Sequence, residues 1–387
     1  MAAIVGWGHT KFGKLEDDGV ESLLVSAVNE ALDHSGLGGG DVDEAYVSQF
    51  NSGLDDQGFP ASLIFHADES LRYTPVTHVE NACASGSAAV HQAVKAVESG
   101  MADVVLVAGV EKMTHRSGRD VNKALVSASY LPEEGGESAS FAGIFGQIAK
   151  LYFQRFGDQS EALAHIAAKN HKNGCHNPLA HIQKDFDAAF CLKESEKNPM
   201  VAAPLKRTDC SMVSDGASAL IVVSDDRRAD FDKAIAVRSM AHVNEFLPMS
   251  RRDMTELGGV KRAWSQAFER AGIGLSDLDF VETHDCFTIA ELMQYEAMGL
   301  VGPGEGWRVV KEGWAQPDGK LPVNLSGGLK SKGHPIGATG VSMHVHAARQ
   351  LVGEASGLQA DDPALGGVFN MGGAGVANYC TILERTA

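Results

Sequence analysis

The chain has 387 residues, of which 44% are hydrophobic and 21% are charged, as expected for a globular protein with a large core. Its 33 basic and 50 acidic side chains give a net charge of −17, which disfavours nucleic-acid binding through a general basic surface. The six cysteines are scattered and none forms a CxxC pair. This pattern favours free thiols in a reducing compartment over a disulfide framework.

Targeting and membrane signals are weak along the whole sequence. The N-terminal stretch MAAIVGWGHTKFGK lacks the long apolar run of a signal peptide, and no apolar run reaches the ~18 residues of a membrane span. The C-terminal stretch ILERTA is not a peroxisomal address. We therefore predict a cytoplasmic protein that binds neither membrane nor nucleic acid.

Two segments of the chain match each other without a gap. EALDHSGLGGGDVDEAYVSQF starts at Glu30, and QAFERAGIGLSDLDFVETHDC starts at Gln266. Each predicts a helix that ends at a glycine, a short loop containing Asp, and then a strand. The matched positions are Gly36 and Gly272, Gly38 and Gly274, Asp41 and Asp277, and Asp43 and Asp279.

A second matched pair follows these segments. PVTHVENACASGSAAVHQAVKAVESGMADVVLVAGV predicts a strand, a turn, a helix over Ser85–Glu98 and a buried strand; PVNLSGGLKSKGHPIGATGVSMHVHAARQLVG with GGVFNMGGAGVANYCTILE repeats that order. Cys83 aligns with His334, each after a predicted strand. The pattern predicts a duplicated α/β unit with mostly parallel sheets, and two equivalent turns facing one pocket beyond the strand ends.

The duplication divides the chain into three predicted segments. Residues 1–118 with 214–232 form the first half, and residues 233–387 form the second. Residues 119–213 form an insertion without a repeat partner, packed over the active-site face. Its basic residues Lys123, Lys206 and Arg207 are candidates for phosphate contacts, although each fits a solvated helical face equally well.

Cys83 lies in a run of very small residues immediately before a predicted helix. A helix N-terminus lowers the pKa of a thiol, and small neighbours allow a substrate to approach the sulfur. Backbone N–H groups at this turn could hold a developing oxyanion. A nucleophile also needs a base, for which His334 in SKGHPIGATG is the candidate. The alternative is a small buried core cysteine.

Two further stretches carry chemical groups. In VETHDCFTIAEL, the residues His284, Asp285 and Cys286 lie at a predicted strand-to-helix junction, where a second cysteine could move protons. Metal binding and simple packing are the alternatives, but no second ligand pair lies at a useful spacing, so we predict no metal. In FNMGGAGVA, Gly372 and Gly373 indicate close backbone approach and an N–H directed at a ligand.

The pieces CASG, HDCF, GHPIGATG and NMGGAG together resemble the thiolase family, in family order. Most thiolases carry NEAF in place of HDCF, and Cys-x-Gly in place of Asn370-Met371-Gly372. These two departures resemble the sterol-carrier-protein-type thiolases, in which HDCF supplies the second catalytic cysteine. The resemblance implies duplicated βαβαβαββ halves in a five-layered αβαβα architecture, with the insertion as a loop domain that meets coenzyme A (CoA). It also implies a homodimer or homotetramer.

The resemblance also implies a role for each site residue. Cys83 attacks an acyl-CoA thioester and holds the acyl group, and His334 accepts its proton and helps to stabilise the thioester oxyanion. Cys286 moves the proton at the substrate α-carbon or protonates the CoA thiolate. His284 stands where the family's Asn holds an oxyanion-hole water. The N–H groups of Cys83 and Gly372 form the second oxyanion hole.

The sequence therefore predicts an acyl-CoA C-acyltransferase of lipid metabolism. It would cleave 3-oxoacyl-CoA with CoA, as in beta-oxidation, or condense acyl-CoAs, with CoA and acyl-CoA as substrates and no permanently bound cofactor. Two alternatives stay open: a thiolase-like aldolase or acyltransferase that needs a partner subunit, and a non-catalytic acyl-CoA- or lipid-binding protein. Activity is expected to fall at acid pH as His334 becomes protonated.

Overall fold

The computed structural model describes residues 1–386. The strands are β1 Ala3–His9, β2 Glu44–Ser48, β3 Val76–Val79, β4 Val104–Glu111, β5 Met200–Ala202, β6 Leu205–Lys206, β7 Gly216–Val223, β8 Ile235–Asn244, β9 Phe280–Thr283, β10 Leu365–Gly372 and β11 Ala377–Arg385. The helices are α1 Val20–Ser35, α2 Ser85–Glu98, α3 Gly118–Val126, α4 Leu131–Glu134, α5 Phe141–Phe156, α6 Ser160–Cys175, α7 Ala188–Leu192, α8 Gly258–Ala271, α9 Thr288–Ala297, α10 Gly306–Lys311, α11 Gly328–Lys332 and α12 Ile336–Leu351.

Nine strands form one sheet in the order β3-β2-β4-β7-β1-β8-β11-β10-β9. Five of its eight strand pairs are antiparallel, so the prediction of a mostly parallel sheet is wrong. The physical reason is visible at β10 and β11, which a four-residue connection joins. A parallel pair would need a crossover of a dozen or more residues.

Helices cover both faces of this sheet and produce the predicted five layers. Helix α1 packs on the outer face of β1, β4 and β7, and α8 packs on the outer face of β8 and β11. Helices α2 and α12 pack against each other between the two halves of the sheet. Strand β4 is accordingly buried on both faces, with Leu106 facing α1 and Val107 facing the inner layer.

The predicted duplication is confirmed at the level of single hydrogen bonds. Helices α1 and α8 end at glycines with φ of 75° and 67°, the left-handed conformation that glycine adopts readily. Three hydrogen bonds to Asp carboxylates in each half then recur in equivalent places. The Asp41 and Asp277 carboxylates accept from Gly38 N at 2.9 Å and Gly274 N at 2.8 Å; Asp43 accepts from Asp103 N and Val104 N, and Asp279 from Ala364 N and Leu365 N.

The two central helices touch at their first turns. A Cβ on Gly340 of α12 would lie 2.1 Å from the backbone N of Ser87, and a Cβ on Gly86 of α2 would lie 2.7 Å from Gly340 N. Glycine therefore permits direct backbone contact between the turns that follow Cys83 and His334. The predicted helix Ser85–Glu98 coincides with α2.

The insertion between β4 and β7 contains α3 to α7 and the short β5–β6 hairpin. The proposed domain boundaries around it stay a prediction. All six cysteines are free thiols in the structure. Within residues 1–386, no helix combines the length and the hydropathy that crossing a bilayer requires.

Substituting Gly340 by Ala should destabilise the protein by about 1–3 kcal/mol, because the added methyl group would force α2 and α12 apart. Urea unfolding followed by circular dichroism measures this difference. Gly118→Ala is the matched control, since it is also a helical glycine but has nothing within 4 Å of its Cβ position. Equal stability of the two variants would contradict the close contact.

Candidate active site

Cys83 lies on a strained turn between β3 and α2. Ala82 has φ of 49°, a conformation that residues with a side chain rarely adopt. Ser85 braces the turn, because its Oγ accepts from Asn81 N at 2.7 Å and donates to the Ala82 carbonyl at 2.6 Å. These contacts hold the strained backbone and fix the position of the thiol.

His334 occupies the equivalent turn before α12. The predicted strand before it is a single parallel bridge between Val323 and Val281, and the short helix α11 lies between that bridge and His334. Its Nδ1 lies 2.7 Å from Thr339 Oγ1, which lies 2.8 Å from the Pro335 carbonyl oxygen. A carbonyl can only accept, so the Thr339 hydroxyl donates to it and accepts from His334 Nδ1–H. This tautomer leaves a lone pair on His334 Nε2, as a general base requires.

The HDCF stretch forms the predicted strand-to-helix junction between β9 and α9. His284 is fully buried, and its Nδ1 lies 2.9 Å from Asn370 Nδ2. Its Nε2 has no hydrogen-bond partner among residues 1–386. Cys286 is buried on the wall of the same cavity as Cys83.

Asp285 does not line the cavity, and its hydrogen bonds support the HDCF loop. Its carboxylate accepts from Leu329 N at 2.7 Å, Lys330 N at 3.2 Å and Asn170 Nδ2 at 2.7 Å. The carboxylate thus ties the HDCF loop to α11, the helix that leads into His334. Burial, followed by the nearby Glu291 carboxylate, raises the pKa of Asp285 to about 7.

These loops meet at a cavity of about 500 Å³. One reactive atom each of Cys83, His284 and His334 lies within 4.8 Å of the others, and the two imidazole rings are nearly perpendicular, with centroids 5.2 Å apart. The remaining walls are mainly apolar. They include Met113, Val121, Leu125, Phe141, Val201, Met212, Val213, Phe287 and Ile336. The structure thus brings Cys83, Cys286 and His334 to one pocket and places His284, fully buried, within 4.8 Å of Cys83 and His334.

Burial keeps the nucleophile and the base neutral. Burial raises the pKa of Cys83 to about 12 and outweighs the hydrogen bonds from the N–H groups of Gly373 and Cys83 itself. The predicted lowering of this pKa is therefore wrong. Burial also raises the pKa of Cys286 well above its usual value. Burial and the Lys332 charge lower the pKa of His334 to about 3.

Gly372 and Gly373 both lie against the Cys83 turn, and the predicted oxyanion hole of the Cys83 and Gly372 N–H groups stays a prediction. Gly373 N–H reaches Cys83 Sγ, whereas Gly372 packs so closely on the Cys83 turn that a Cβ there would lie 2.4 Å from the Asn81 carbonyl oxygen. Consecutive glycines indicated the close approach, but they could not show which N–H faces the sulfur.

The basic residues of the insertion separate into three environments. Lys206 is buried and lies 3.6 Å from the Asp209 carboxylate, so it is unsuited to the role of a free phosphate contact. Arg207 is exposed and lines a second cavity of about 600 Å³ together with Lys184 and Lys197. Lys123 is exposed on α3 and lines neither cavity.

Sequence reasoning missed two contributors, Thr339 and Glu111. Thr339 has the contacts described above. From the sequence, Asn370 stands only as a replacement for the family's cysteine. In the structure, its amide also contacts His284. Glu111, also missed, accepts from Gly337 N at 2.9 Å and so holds the first turn of α12. The spacing of five residues between His334 and Thr339 was the one available signal, and it is weak alone.

Comparison with known proteins agrees with this geometry. Residues 2–226 match the family described as thiolase, N-terminal domain, and residues 241–385 match the one described as thiolase C-terminal domain-like. The chain belongs to the thiolase family. This thiolase is 35% identical over 385 residues to an acetyl-CoA acetyltransferase from Methanothermobacter thermautotrophicus, which covers 99% of each chain.

Two further proteins are similar to this chain. The chain is 34% identical over 330 residues to sterol carrier protein 2 of Rattus norvegicus, covering 81% of this thiolase and 59% of that protein. The predicted resemblance to sterol-carrier-protein-type thiolases is thereby confirmed. The solved Ltp2-ChsH2(DUF35) aldolase superposes with a TM-score of 0.85 over 99% of this chain and 97% of that one. At 23% identity, this likeness shows the shared fold alone.

The pKa of His334 changes the expected pH dependence. A histidine with a pKa of about 3 stays neutral as the pH falls, so it keeps its lone pair until the pH approaches that value. The rate of Cys83 acylation in a single turnover should therefore be flat from about pH 5 to about pH 8, instead of falling at acid pH. Quenched-flow mass spectrometry measures this rate. A tenfold loss per pH unit below about pH 6 would contradict the buried, neutral imidazole.

Proposed function

We propose that this thiolase is an acyl-CoA C-acyltransferase that works through an acyl group carried on Cys83. The observation that carries the proposal is the meeting of Cys83, Cys286 and His334 at one cavity, with His284 within 4.8 Å of Cys83 and His334. The acetyl-CoA acetyltransferase relative, similar over its whole length, supports the same activity.

Acylation begins from two neutral groups. Cys83 Sγ forms a bond to the thioester carbonyl carbon while its proton passes to the lone pair on His334 Nε2. The C–S bond to CoA then breaks, and the CoA thiolate takes the proton of the Cys286 thiol and leaves as the thiol. Because the pKa of Cys83 is about 12, the thiol is the resting form, and proton transfer accompanies attack.

Two sets of donors stabilise the charge that develops on oxygen. The N–H groups of Cys83 and of the Gly372–Gly373 pair lie at the Cys83 turn and suit the oxyanion of the acyl group bound there. His284 Nε2 and the protonated form of His334 suit the oxyanion of the second thioester. The fold holds the backbone N–H groups and His284 Nε2–H in place before the substrate arrives, whereas His334 becomes a donor only after it has taken the proton of Cys83.

Cys286 donates the proton to the leaving group in one half-reaction and removes the α-carbon proton in the other. Its raised pKa makes the thiol its resting form, so it acts as an acid toward a departing CoA thiolate or carbanion. In the condensation direction, the resulting thiolate removes the proton from the α-carbon of the second acyl-CoA. A strongly basic thiolate is suited to that removal.

The second cavity is our candidate site for the phosphates of CoA. Met212 lines both this cavity and the catalytic one, so the two are neighbours. Four basic side chains line it beside three acidic ones, which leaves a local excess of positive charge in a protein whose net charge is −17; they are Lys184, Lys197, Arg207 and Lys330, and Asp185, Asp187 and Glu196. Such a local basic patch is what an anionic substrate needs against a repulsive overall field.

Arg207→Ala should raise the KM for CoA by roughly tenfold and leave kcat nearly unchanged, since it removes one charge-assisted contact far from the reacting bond. Steady-state thiolysis with varied CoA measures both constants. Arg228→Ala is the matched control, because Arg228 lies 3.4 Å from Asp225 outside either cavity. An unchanged KM in Arg207→Ala would remove the second cavity as the phosphate site.

Several predictions from the sequence stay proposals. We propose a homodimer or homotetramer, because β3 is a four-residue strand at the sheet edge, with one side free for pairing with a second copy. Light scattering on the purified chain measures the assembly. Beta-oxidation and a cytoplasmic location stay predictions that labelled-substrate tracing and fractionation would test.

The experiment that tests the function is intact-protein mass spectrometry after brief exposure to acetyl-CoA, acetoacetyl-CoA or a longer acyl-CoA. Wild type should gain one acyl group, and Cys83→Ala should gain none. Cys210→Ala is the matched control, because Cys210 lines the same cavity and should leave the adduct intact. Cys286→Ala should still acylate at Cys83 but lose overall turnover by about 10²-fold or more.

The outcomes also separate the alternative functions. An adduct that persists in Cys83→Ala would refute the proposed nucleophile. Absence of an adduct in wild type with every donor would favour the aldolase, the partner-dependent acyltransferase or the binding protein. Repeating the assay with a DUF35-type partner, as in the aldolase complex of the same fold, detects the partner-dependent acyltransferase, and a carbon–carbon cleavage assay with the same partner detects the aldolase.

A further inference from the structure

Asn370 makes an unusual double contact beneath the two catalytic turns. It is fully buried on β10, and its Nδ2 lies 3.1 Å from the Cys83 carbonyl oxygen and 2.9 Å from His284 Nδ1. Its Oδ1 has no hydrogen-bond partner among the described residues and lies against Gly340, where a Cβ would be 2.5 Å away. One amide nitrogen thus serves both the nucleophile's turn and the HDCF loop.

The Cys83 carbonyl determines the orientation of this amide. A carbonyl oxygen can only accept, so the amide atom facing it must be the NH₂ group. That group has two hydrogens, one for Cys83 and one for His284. His284 Nδ1 therefore accepts, and the ring proton of the neutral imidazole must lie on Nε2. Burial lowers the pKa of His284 well below its usual value, so the ring stays neutral.

We propose that Asn370 is a positioning residue that fixes His284 as an Nε2–H donor to the substrate oxyanion. His284 Nε2 is buried and has no protein partner among residues 1–386, which is the state expected of a donor that awaits a ligand. This inference rests on the proposed function for the identity of the oxyanion. The tautomer itself is a property of the free protein.

The same tautomer explains why a zinc-like set of side chains suits acyl transfer. Cys83, His284 and His334 place a cysteine and two histidines within zinc-binding range of one another. A histidine ligand must offer a lone pair, and Asn370 leaves His284 Nε2 with a proton instead. His334 has the opposite arrangement, because Thr339 leaves its Nε2 unprotonated. The pocket therefore holds one donor and one base.

The first test reads the tautomer in the wild-type protein. Nitrogen-15 NMR of histidine-labelled protein at neutral pH distinguishes protonated from bare ring nitrogens, and His284→Asn identifies the His284 signals among 15 histidines. We expect a bare Nδ1 and a protonated Nε2. A protonated Nδ1 in wild type would overturn the proposal, whether or not the protein proves to be an acyltransferase.

The second test reverses the hydrogen bond with Asn370→Asp. A carboxylate accepts from Nδ1–H and so moves the ring proton away from Nε2. We expect an inverted tautomer in the NMR spectrum and a fall in kcat of roughly 10²–10³-fold, typical of a lost oxyanion donor, with a smaller change in KM. Asn378→Asp is the matched control, since Asn378 is equally buried and donates to backbone carbonyls away from the histidines.

A double-mutant cycle separates positioning from general damage. An Asn at position 284 donates through its own NH₂ group and has no tautomer to select. In the His284→Asn background, Asn370→Asp should therefore lower kcat by only a few-fold. Equal losses in the two backgrounds, equal losses in Asn370→Asp and Asn378→Asp, or a large loss with an unchanged tautomer would each overturn the proposal. If Asn370→Asp fails to fold, the wild-type spectrum still decides.

Discussion

The direct backbone contact between the first turns of α2 and α12 is the constraint on which the site depends. Each helix follows one of the two duplicated turns, so the distance between the helix starts sets the distance between Cys83 and His334. A single methyl group on Gly340 would meet the backbone N of Ser87 at 2.1 Å. The duplication supplies two equivalent turns, and the glycines allow them to share one pocket.

Close packing has an electrostatic consequence. The pocket is buried enough that charged forms of its thiols and imidazoles are disfavoured, which raises the pKa of Cys83 to about 12 and lowers that of His334 to about 3. Charge then appears only as the reaction proceeds, at positions where fixed N–H donors already point. This arrangement differs from a preformed thiolate, and it stabilises the transition state more than the resting enzyme.

The sequence was informative where local rules decide structure. Glycines and Asp side chains at fixed spacing predicted the duplicated helix ends, and the small residues around Cys83 predicted a close backbone approach. The prediction of mostly parallel strands was wrong, because β7 and β11 run antiparallel to their neighbours β4 and β10, and hydropathy patterns do not show strand direction. The prediction of a lowered pKa for Cys83 was also wrong. Burial, which only the folded chain shows, raises this pKa by more than the position before a helix lowers it.

Sequence patterns did not predict which polar side chains contact each other inside the folded protein. Asn370 meets His284 across 86 residues, and Lys206 finds Asp209 inside the protein instead of on its surface. The first contact leaves no periodic or compositional trace, and the i, i+3 spacing of the second does not show that the pair is buried. A polar side chain with a buried partner and one without look the same in a linear sequence.

The two departures from the usual thiolase motifs, HDCF and Asn370-Met371-Gly372, are linked by a direct contact between their side chains in this pocket. Moving the second cysteine from position 370 to Cys286 leaves position 370 open to an amide. Placing a histidine at position 284 creates a donor whose direction depends on its tautomer, and the amide of Asn370 selects that tautomer at 2.9 Å. An aliphatic side chain at position 370 would leave the ring free to protonate either nitrogen. HDCF therefore needs a donor such as Asn370 beside it, and we expect the two features to function as a unit.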